Sequence, residues 1–420
     1  METTIHNRSE VLREIEIFVG EDELKAAFDA AYQQIRPKMA LPGFRAGKAP
    51  LSLIKKMHGD AIEGDTMERL AQDKFKSAVE EHNLQPIGTP VMTDLHRHAG
   101  EGAHFKISYE VKPEITLNDY EGTEIEQPTY AITDTDVEER LHFLRFNYST
   151  KEAAQKIEDK EAVASLQFTD RSKPEAPPET TSVYLHDPQL VPALGEALIG
   201  KSVGDTFEID LPQTINGEQQ ITPVSIVVQS IEKVTLPEVD EEFAKKISRD
   251  KATNEDEVRA MVREELELNA KRRSDEALES NMVNALLSKH EFQVPRTYTY
   301  ALLDAMIKEV KDENVRRGFP ENYNLDEEEY RKAAWNNAEV RAKWLLLRDK
   351  LVEAMDLQAT EEDLKAQAAT DAAQYGIAAE NLEKYYLSNE EIKERIRSQK
   401  LVEKLKQQFV VKEKPVTNQA

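Results

Sequence analysis

Residues 43–50 read Gly-Phe-Arg-Ala-Gly-Lys-Ala-Pro, and this run separates two predicted helices near the start of the 420-residue chain. Gly43 and Gly47 allow tight turns, while Pro42 and Pro50 fix the backbone on either side. Glycine and proline at this density are typical of a loop and break a continuous helix. The first part of the chain is therefore predicted to be divided into helix, loop and helix.

The side chains of this loop suit a docking surface. Phe44 is followed by Arg45, and Lys48 comes three residues later, so one ring and two cations would share the tip. Such a tip fits a partner made of protein and phosphate, because the ring fills a pocket and the cations pair with carboxylates or phosphates. The alternative is an ordinary surface turn in which Phe44 folds back onto its own core. The residues alone leave both interpretations open.

The loop lies in a basic island of an acidic chain. The net charge of −25 argues against broad nucleic-acid binding, because most of the surface would repel a polyanion. Residues 30–59 nevertheless contain no acidic residue. The island therefore needs a local explanation, and its cations are Arg36, Lys38, Arg45, Lys48, Lys55 and Lys56.

The sequence around the loop predicts a compact α+β unit of about 110 residues. Upstream, side chains alternate from Val11 to Val19 with the period of a strand, and a helix with one apolar face runs from Glu21 until Pro37. Downstream the patterns predict a helix at Ala61–His82 and strands at Val91–His98 and Phe105–Val111.

The remaining chain changes character twice. Residues 133–147 predict a helix, residues 160–235 are rich in proline, glycine and short runs with strand character, and the chain from Pro237 onward is predicted helical. The later helices have narrow apolar stripes and dense mixed charge, which fits either an extended body or a solvated bundle. Capping boxes are predicted to start two of the helices, at Thr133 with Asp136 and at Ser388 with Glu391.

Composition excludes several classes of function. No apolar run approaches the ~20 residues of a membrane span, and the first residues lack the features of a secretory signal, so we expect a cytoplasmic protein. The absence of cysteine excludes disulfides and thiol catalysis, and no phosphate-binding glycine loop is present, so no cofactor is expected. Asp94, His96 and His98 would share one strand face and could hold a metal, but exposed polar strand residues are commoner, and we expect no metal site.

The loop resembles the ribosome-binding signature of the trigger factor family, Gly-Phe-Arg-x-Gly-Lys-x-Pro, at every defined position. The resemblance implies that Phe44, Arg45 and Lys48 contact the large-subunit ribosomal protein beside the exit tunnel, with nearby ribosomal RNA held by other cations of the island. The residues that carry this resemblance are Gly43, Phe44, Arg45, Gly47, Lys48 and Pro50.

The resemblance extends over nearly the whole chain and implies an α+β multidomain protein. Runs similar to family boundaries occur at residues 109–114, 133–137 and 236–244. They imply an N-terminal ribosome-binding domain at 1–113, a linker with a helix of the C-terminal body at 114–159, an inserted β-rich domain similar to FK506-binding proteins at 160–235, and an elongated all-helical chaperone domain at 236–420.

The inserted domain departs from the prolyl isomerases that it resembles. The run at 191–200 is similar to the family's segment, but Leu194 stands where phenylalanine is usual, and Gln167 stands where the pocket aspartate is expected. No catalytic residue is therefore assigned, and the degenerate pocket is expected to retain Phe168, Val191 and Leu194. The alternative is a β-domain that only extends the client-binding surface.

By this resemblance the chain is expected to be an ATP-independent chaperone that binds nascent and unfolded polypeptides at the ribosome. A homodimer away from the ribosome is a further expected partner, and no membrane partner is expected. Two alternatives remain open: a free-standing prolyl isomerase, and a holdase chaperone that does not bind ribosomes.

Overall fold

A computed structural model describes residues 2–39, 41, 44–45, 47–98, 100–172, 175, 177–215 and 218–416. Its contacts group these residues into two compact units, each built from segments far apart in sequence. The first unit combines the chain up to 124 with 282–410, and the second combines 125–281 with the residues after 410. The domain boundaries predicted at 113, 159 and 235 stay predictions.

The N-terminal part of the first unit is the α+β fold that the sequence predicts. Its four strands form an antiparallel sheet in the order β1-β2-β4-β3, and the two helices pack on one face around Ile15, Phe28 and Phe105. The elements are β1 (Glu2–Asn7), β2 (Leu12–Gly20), α1 (Glu21–Ile35), α2 (Leu51–Glu81), β3 (Ile87–His98) and β4 (Gly102–Glu110).

For this part, one helix was predicted with the wrong start, and one strand was not predicted. Helix α2 begins at Leu51 rather than Ala61, because Pro50 occupies its N-cap position and Ile54, in its first turn, is fully buried in the core. Strand β1 was missed because it lies at the sheet edge, where an alternating apolar face is not required. Lys55 and Lys56 therefore belong to a helix rather than to the loop.

The C-terminal part of the first unit is helical, as predicted. It contains the end of α6, which spans Glu255–Lys289, followed by α7 (Arg296–Arg316), α8 (Glu327–Ala354), α9 (Glu361–Tyr375), α10 (Ala379–Ser388) and α11 (Glu390–Gln408). The capping box predicted at Ser388 was wrong, because Ser388 ends α10 and its hydroxyl donates to carbonyls of that helix. Asn389 caps α11 instead, accepting from the amides of Glu391 and Ile392 at 2.9 and 3.2 Å.

A carboxylate of the sheet caps helix α7. The N-cap position of α7 holds Pro295, which has no side-chain acceptor. Glu110, the last residue of β4, replaces it: Oε1 accepts from the Arg296 amide at 2.9 Å and Oε2 from the Thr297 amide at 2.8 Å. The carboxylate satisfies two free amides and places negative charge at the positive end of the helix dipole. This contact fastens the sheet to the helical part of the first unit.

Replacing Glu110 by alanine is expected to speed hydrogen exchange in the first turn of α7 by roughly 5–30-fold, which corresponds to a lost cap of about 1–2 kcal/mol. Glu110→Gln keeps one acceptor oxygen but loses the charge and should give an intermediate rate. Hydrogen exchange of the full chain, read by mass spectrometry, is the measurement. Unchanged protection of this turn in Glu110→Ala would show that the contact does not cap the helix.

The second unit contains the β-rich region. A five-stranded antiparallel sheet has the order β6-β10-β7-β8, and β9 pairs with the other end of the long strand β10. Its core is formed by Leu166, Leu198, Ile226 and Ile231. The elements of the sheet are β6 (Thr150–Ala154), β7 (Ala162–Asp170), β8 (Glu179–Tyr184), β9 (Thr206–Ile215) and β10 (Glu218–Thr235), with α4 (Pro192–Leu198) between β8 and β9.

Helices and a small sheet complete the second unit. The capping box predicted for α3 (Asp134–Asn147) is confirmed, because the Asp136 amide donates to the Thr133 hydroxyl and Asp136 accepts from the Thr133 amide. The helices α5 (Glu241–Ser248) and α6 follow the β-rich region, and β5 (Glu124–Tyr130) pairs with the C-terminal strand β11 (Val410–Val416). The predicted fold class is confirmed. The prediction that the chain is helical from Pro237 to its end was wrong, because Val410–Val416 forms β11 and pairs with β5, and helix α4 was not predicted in the β-rich region.

Candidate functional site

The predicted docking loop is held at its base by backbone bonds and buried side chains. The Phe44 amide donates to the Leu41 carbonyl at 3.0 Å, and the Lys48 amide donates to the Arg45 carbonyl at 2.9 Å. Leu41 and Ala49 are both buried in the core of the α+β part. The loop is therefore tied down on both sides of the residues that it presents.

Gly47 is required by the shape of this loop. Its φ of +77° lies in the left-handed region, and its amide donates to the Met39 carbonyl at 3.3 Å. A Cβ atom on Gly47 would lie 3.2 Å from the Pro37 carbonyl oxygen, which is tighter than ordinary contact. The glycine thus permits both the turn and the close approach to the segment that ends helix α1.

The tip presents one ring and two free cations. Phe44 is 43% exposed, and Arg45 and Lys48 are exposed. Neither cation forms an ion pair or side-chain hydrogen bond with another described residue. The structure thus places the Phe44 ring in solvent beside two positive groups. Pro50 stands exposed at the N-cap of α2, and Gly43 lies outside the described residues.

The other cations of the basic island differ in whether an internal ion pair already holds them. Lys55 is held by Asp29, with Nζ 3.1 Å from the carboxylate, and lies 4.8 Å from the centre of the Tyr32 ring. Burial and a hydrogen bond to Glu63 raise the pKa of Tyr32 to about 12, so this ring stays neutral beneath the ammonium. Lys38 and Lys56 are exposed and lack an ion pair among the described residues. Within the island, Lys38 and Lys56 thus join Arg45 and Lys48 as exposed cations without an ion pair to a described residue.

The residues predicted for a degenerate isomerase pocket pack against one core. Leu194 is buried in the core of the β-rich region, and Phe168 and Val191 are half-buried against it. Gln167, which stands in the position of the expected pocket aspartate, accepts a hydrogen bond from the Gln229 amide nitrogen at 2.6 Å. These side chains fill space within the domain, and their membership of a degenerate isomerase pocket stays a prediction.

The strand residues considered as metal ligands do not converge. His96 Nε2 lies 2.9 Å from Asp94 Oδ1, whereas the His98 ring lies edge-on to the His104 ring, 6.3 Å between centres. Among the described residues, the group whose ligand atoms converge is a different one: His142, Glu161 and His186. Sequence reasoning missed it because its members lie on three separate elements.

In this second cluster His142 and Glu161 are half-buried, whereas the side chain of His186 is exposed. Burial and the neighbouring His186 lower the pKa of His142, although Glu161 opposes this effect. Burial and the hydrogen bond to Glu161 raise the pKa of Tyr184, whose hydroxyl lies 2.7 Å from His142 Nε2. The imidazole and the phenol are therefore both favoured in their neutral forms.

An apolar tip is formed by the end of helix α7 and the turn that follows it. Val315, Phe319 and Tyr323, which we call the apolar tip, are all exposed, and the rings of Phe319 and Tyr323 stack with centres 4.4 Å apart. Asn314 holds the turn, because its side-chain amide donates to the carbonyls of Glu321 and Tyr323 at 3.0 and 3.1 Å. The tip is a preformed apolar surface on a fixed turn.

Models of known protein families match two segments of the chain. One, described as bacterial trigger factor protein, covers residues 1–144, and the other, described as bacterial trigger factor protein C-terminus, covers residues 256–407. Within the described part of the chain, no helix combines the length and the apolar character needed to cross a membrane.

Curated relatives match nearly the whole length. The protein named trigger factor from Salinibacter ruber is 28% identical over 96% of this chain and 92% of its own. The trigger factor from Trichlorobacter lovleyi is 30% identical over 89% of this chain and 87% of its own. A solved structure described under "Promiscuous Substrate Recognition in Folding and Assembly Activities of the Trigger Factor Chaperone" shares 19% identity and a TM-score of 0.44, with 96% of this chain and 98% of the other covered.

Proposed function

The chain belongs to the trigger factor family, and from this premise we propose that it is an ATP-independent chaperone of the cytoplasm that docks beside the ribosomal exit tunnel. Its partners are the tunnel-side protein and nearby RNA of the large ribosomal subunit, together with nascent and unfolded polypeptides. A homodimer away from the ribosome belongs to the same proposal.

The observation that carries the docking is the exposed Phe44 ring beside two cations that form no ion pair with another described residue. A side chain like Phe44 loses solvent contact when it enters a partner's pocket, and aromatic anchors of this kind dominate interface energies. Arg45 and Lys48 do not need to break an internal ion pair before they bind carboxylates or phosphates. The geometry supports a loop that is ready to dock without rearrangement.

The apolar tip supports the second half of the proposal. An unfolded chain offers apolar side chains, and burying some 300 Å² of apolar surface yields a gross ~8 kcal/mol at ~25 cal/mol/Å². The costs of association and ordering remove much of this, which leaves a weak and reversible contact. A client held near the ribosome meets such a weak surface at raised effective concentration, so docking and client binding reinforce each other.

The β-rich region has no catalytic step in this proposal. Leu194 lies in the core where an isomerase would present an aromatic pocket wall, and Phe168 and Val191 pack against the same core. We assign the region the role of extending the surface offered to clients, and this assignment supports a chaperone rather than a free-standing prolyl isomerase.

The experiment that tests the proposal is sedimentation of the purified chain with isolated ribosomal subunits in nucleotide-free buffer. We expect the chain to pellet with large subunits and not with small subunits, because the loop is complementary to one site. Addition of ATP should leave the pelleted fraction unchanged. A chain that stays in the supernatant with large subunits would be a holdase without ribosome binding, and the docking proposal would be wrong.

A further inference from the structure

A cluster of two imidazoles and a carboxylate joins helix α3 to the sheet of the second unit. His142 lies in α3, Glu161 directly precedes β7, and His186 follows the end of β8 by two residues. Their potential ligand atoms all lie within 4.8 Å of one another. The cluster is separate from the docking loop and the apolar tip, and the proposed chaperone function does not use it.

The backbone places these groups firmly. The Leu185 amide donates to the Ala162 carbonyl at 3.0 Å, and the Val234 amide donates to the Glu161 carbonyl at 2.8 Å. The residues beside the carboxylate and beside His186 are thus fixed by the paired strands β7, β8 and β10. Ligands that lie on a helix or directly beside paired strands are held more closely than ligands on a mobile loop.

The distances suit a small four-coordinate ion. Glu161 Oε1 lies 3.4 Å from His142 Nε2 and 3.1 Å from His186 Nδ1. With metal–ligand bonds of about 2.0–2.2 Å, neighbouring ligand atoms of a tetrahedral zinc site lie about 3.3–3.5 Å apart. The two imidazole rings are stacked, with centres 3.7 Å apart and an angle of 17° between planes, so they must tilt for both lone pairs to converge on one ion.

The cluster is incomplete without a ligand. His186 Nδ1 is buried and makes no hydrogen bond to any described residue, although the rest of its side chain is partly exposed. Glu161 Oε1 lies 3.1 Å from this nitrogen but is not oriented for a hydrogen bond, and a metal ion bound by both atoms would satisfy them.

Surrounding side chains support the ligands as they do in known metal sites. The Tyr184 hydroxyl donates to Glu161 Oε2 at 2.5 Å and leaves Oε1 facing the two histidines. The Tyr184 ring is itself stacked on Phe146, with centres 3.9 Å apart. Outer contacts of this kind orient ligating carboxylates, and their loss typically weakens metal binding about 10–100-fold.

We propose that His142, Glu161 and His186 form a binding site for a divalent transition-metal ion of the zinc class, which ties helix α3 to the β7–β8 edge of the sheet. Imidazole nitrogen favours zinc, cobalt, nickel or copper over magnesium or calcium, which prefer oxygen ligands only. Three protein ligands leave a position for water, so the ion would lie at a half-open site. Binding displaces the contact between His142 Nε2 and the Tyr184 hydroxyl.

The test uses the untagged full chain, stripped of metal with a chelator and titrated with Co²⁺ and then Zn²⁺. We expect one equivalent of Co²⁺ to produce the intense visible bands of four- or five-coordinate cobalt, and one equivalent of Zn²⁺ to remove them. Proton spectra of the cobalt form should show shifted ring N–H signals of two histidines. A chain that binds no stoichiometric ion, or whose cobalt spectrum is that of the hydrated ion, would overturn the proposal.

Substitutions of the proposed ligands test where the ion binds. His186→Gln and Glu161→Gln should each weaken Zn²⁺ binding at least tenfold, and Tyr184→Phe, which keeps the stacked ring, should weaken it about tenfold. The matched control is His96→Gln with His98→Gln, which removes two exposed strand histidines and should leave the affinity unchanged. An equal loss of Zn²⁺ affinity in this control, or unchanged Zn²⁺ affinity in both His186→Gln and Glu161→Gln, would show that the ion binds elsewhere. Pelleting with ribosomes does not enter this test, so the two proposals fail independently.

Discussion

Replacing Phe44, Arg45 and Lys48 together by alanine is expected to weaken binding to large ribosomal subunits by at least about a hundredfold. A buried aromatic anchor contributes about 2 kcal/mol or more, and each charge-assisted contact adds about 1 kcal/mol or more. The sum of about 4 kcal/mol corresponds to roughly 700-fold because every 1.4 kcal/mol is tenfold in affinity, so about a hundredfold is the smallest loss expected. The fold should be unaffected, since all three side chains are exposed and unpaired among the described residues. Sedimentation with large subunits over a range of subunit concentrations measures the effect.

The chain offers a closely matched control for this variant. Phe319 is 44% exposed, nearly the same as Phe44 at 43%, and Arg316 and Arg317 precede it on the surface. Replacing these three residues by alanine removes one half-exposed ring and two positive charges, so the net charge changes equally. This control should pellet as the unmodified chain does. Equal loss in both variants would mean that general charge, and not the loop, holds the chain to the ribosome.

Gly47→Ala separates the shape of the loop from its side chains. The change leaves Phe44, Arg45 and Lys48 in place but adds a Cβ atom 3.2 Å from the Pro37 carbonyl oxygen at a residue with φ of +77°. Such strain amounts to about 1–3 kcal/mol, so we expect ribosome binding to weaken by roughly 5–150-fold. Gly64→Ala is the control, because Gly64 lies within α2 and has no atom within 4 Å of the added Cβ.

The sequence located the loop because its signal is local. Proline and glycine act on their own φ angles, so Gly47 and Pro50 mark a loop without reference to the rest of the chain. The start of α2 was misplaced for the opposite reason. Gly59 lowers helix propensity by about 1 kcal/mol, and what offsets it is tertiary burial, with Gly59 beside the Tyr32 hydroxyl.

Contacts between segments far apart in the chain could not be predicted from the sequence. Glu110 ends a strand with an ordinary alternating pattern, and only the fold shows that its carboxylate caps a helix nearly two hundred residues later. His142 and His186 likewise carry no motif spacing, because helix α3 and strand β8 bring them together. Side chains whose role depends on the packing of separate elements leave no periodic signal, whereas turns and amphipathic faces do.

Replacing Val315, Phe319 and Tyr323 together by serine is expected to weaken binding of an unfolded client at least tenfold. These side chains expose a continuous apolar surface, and Ser removes nearly all of it while keeping the turn that Asn314 holds through backbone carbonyls. A client that buries about 100 Å² less apolar surface loses about 2.5 kcal/mol of gross binding free energy. Part of this loss is offset because fewer side chains have to be ordered on binding. Suppression of aggregation of a chemically denatured client, measured against chaperone concentration, reads the effect.

Two comparisons decide whether the apolar tip acts through its apolar surface. Arg316→Gln with Arg317→Gln changes the charge beside the tip but keeps its rings, so it should suppress aggregation as the unmodified chain does. The serine variant should still pellet fully with large ribosomal subunits, whereas the Phe44, Arg45 and Lys48 variant should still suppress aggregation away from ribosomes. Because docking and client binding use separate groups, each variant should lose one activity and keep the other. A serine variant that suppresses aggregation at unchanged chaperone concentration would place the client-binding surface elsewhere on the chain.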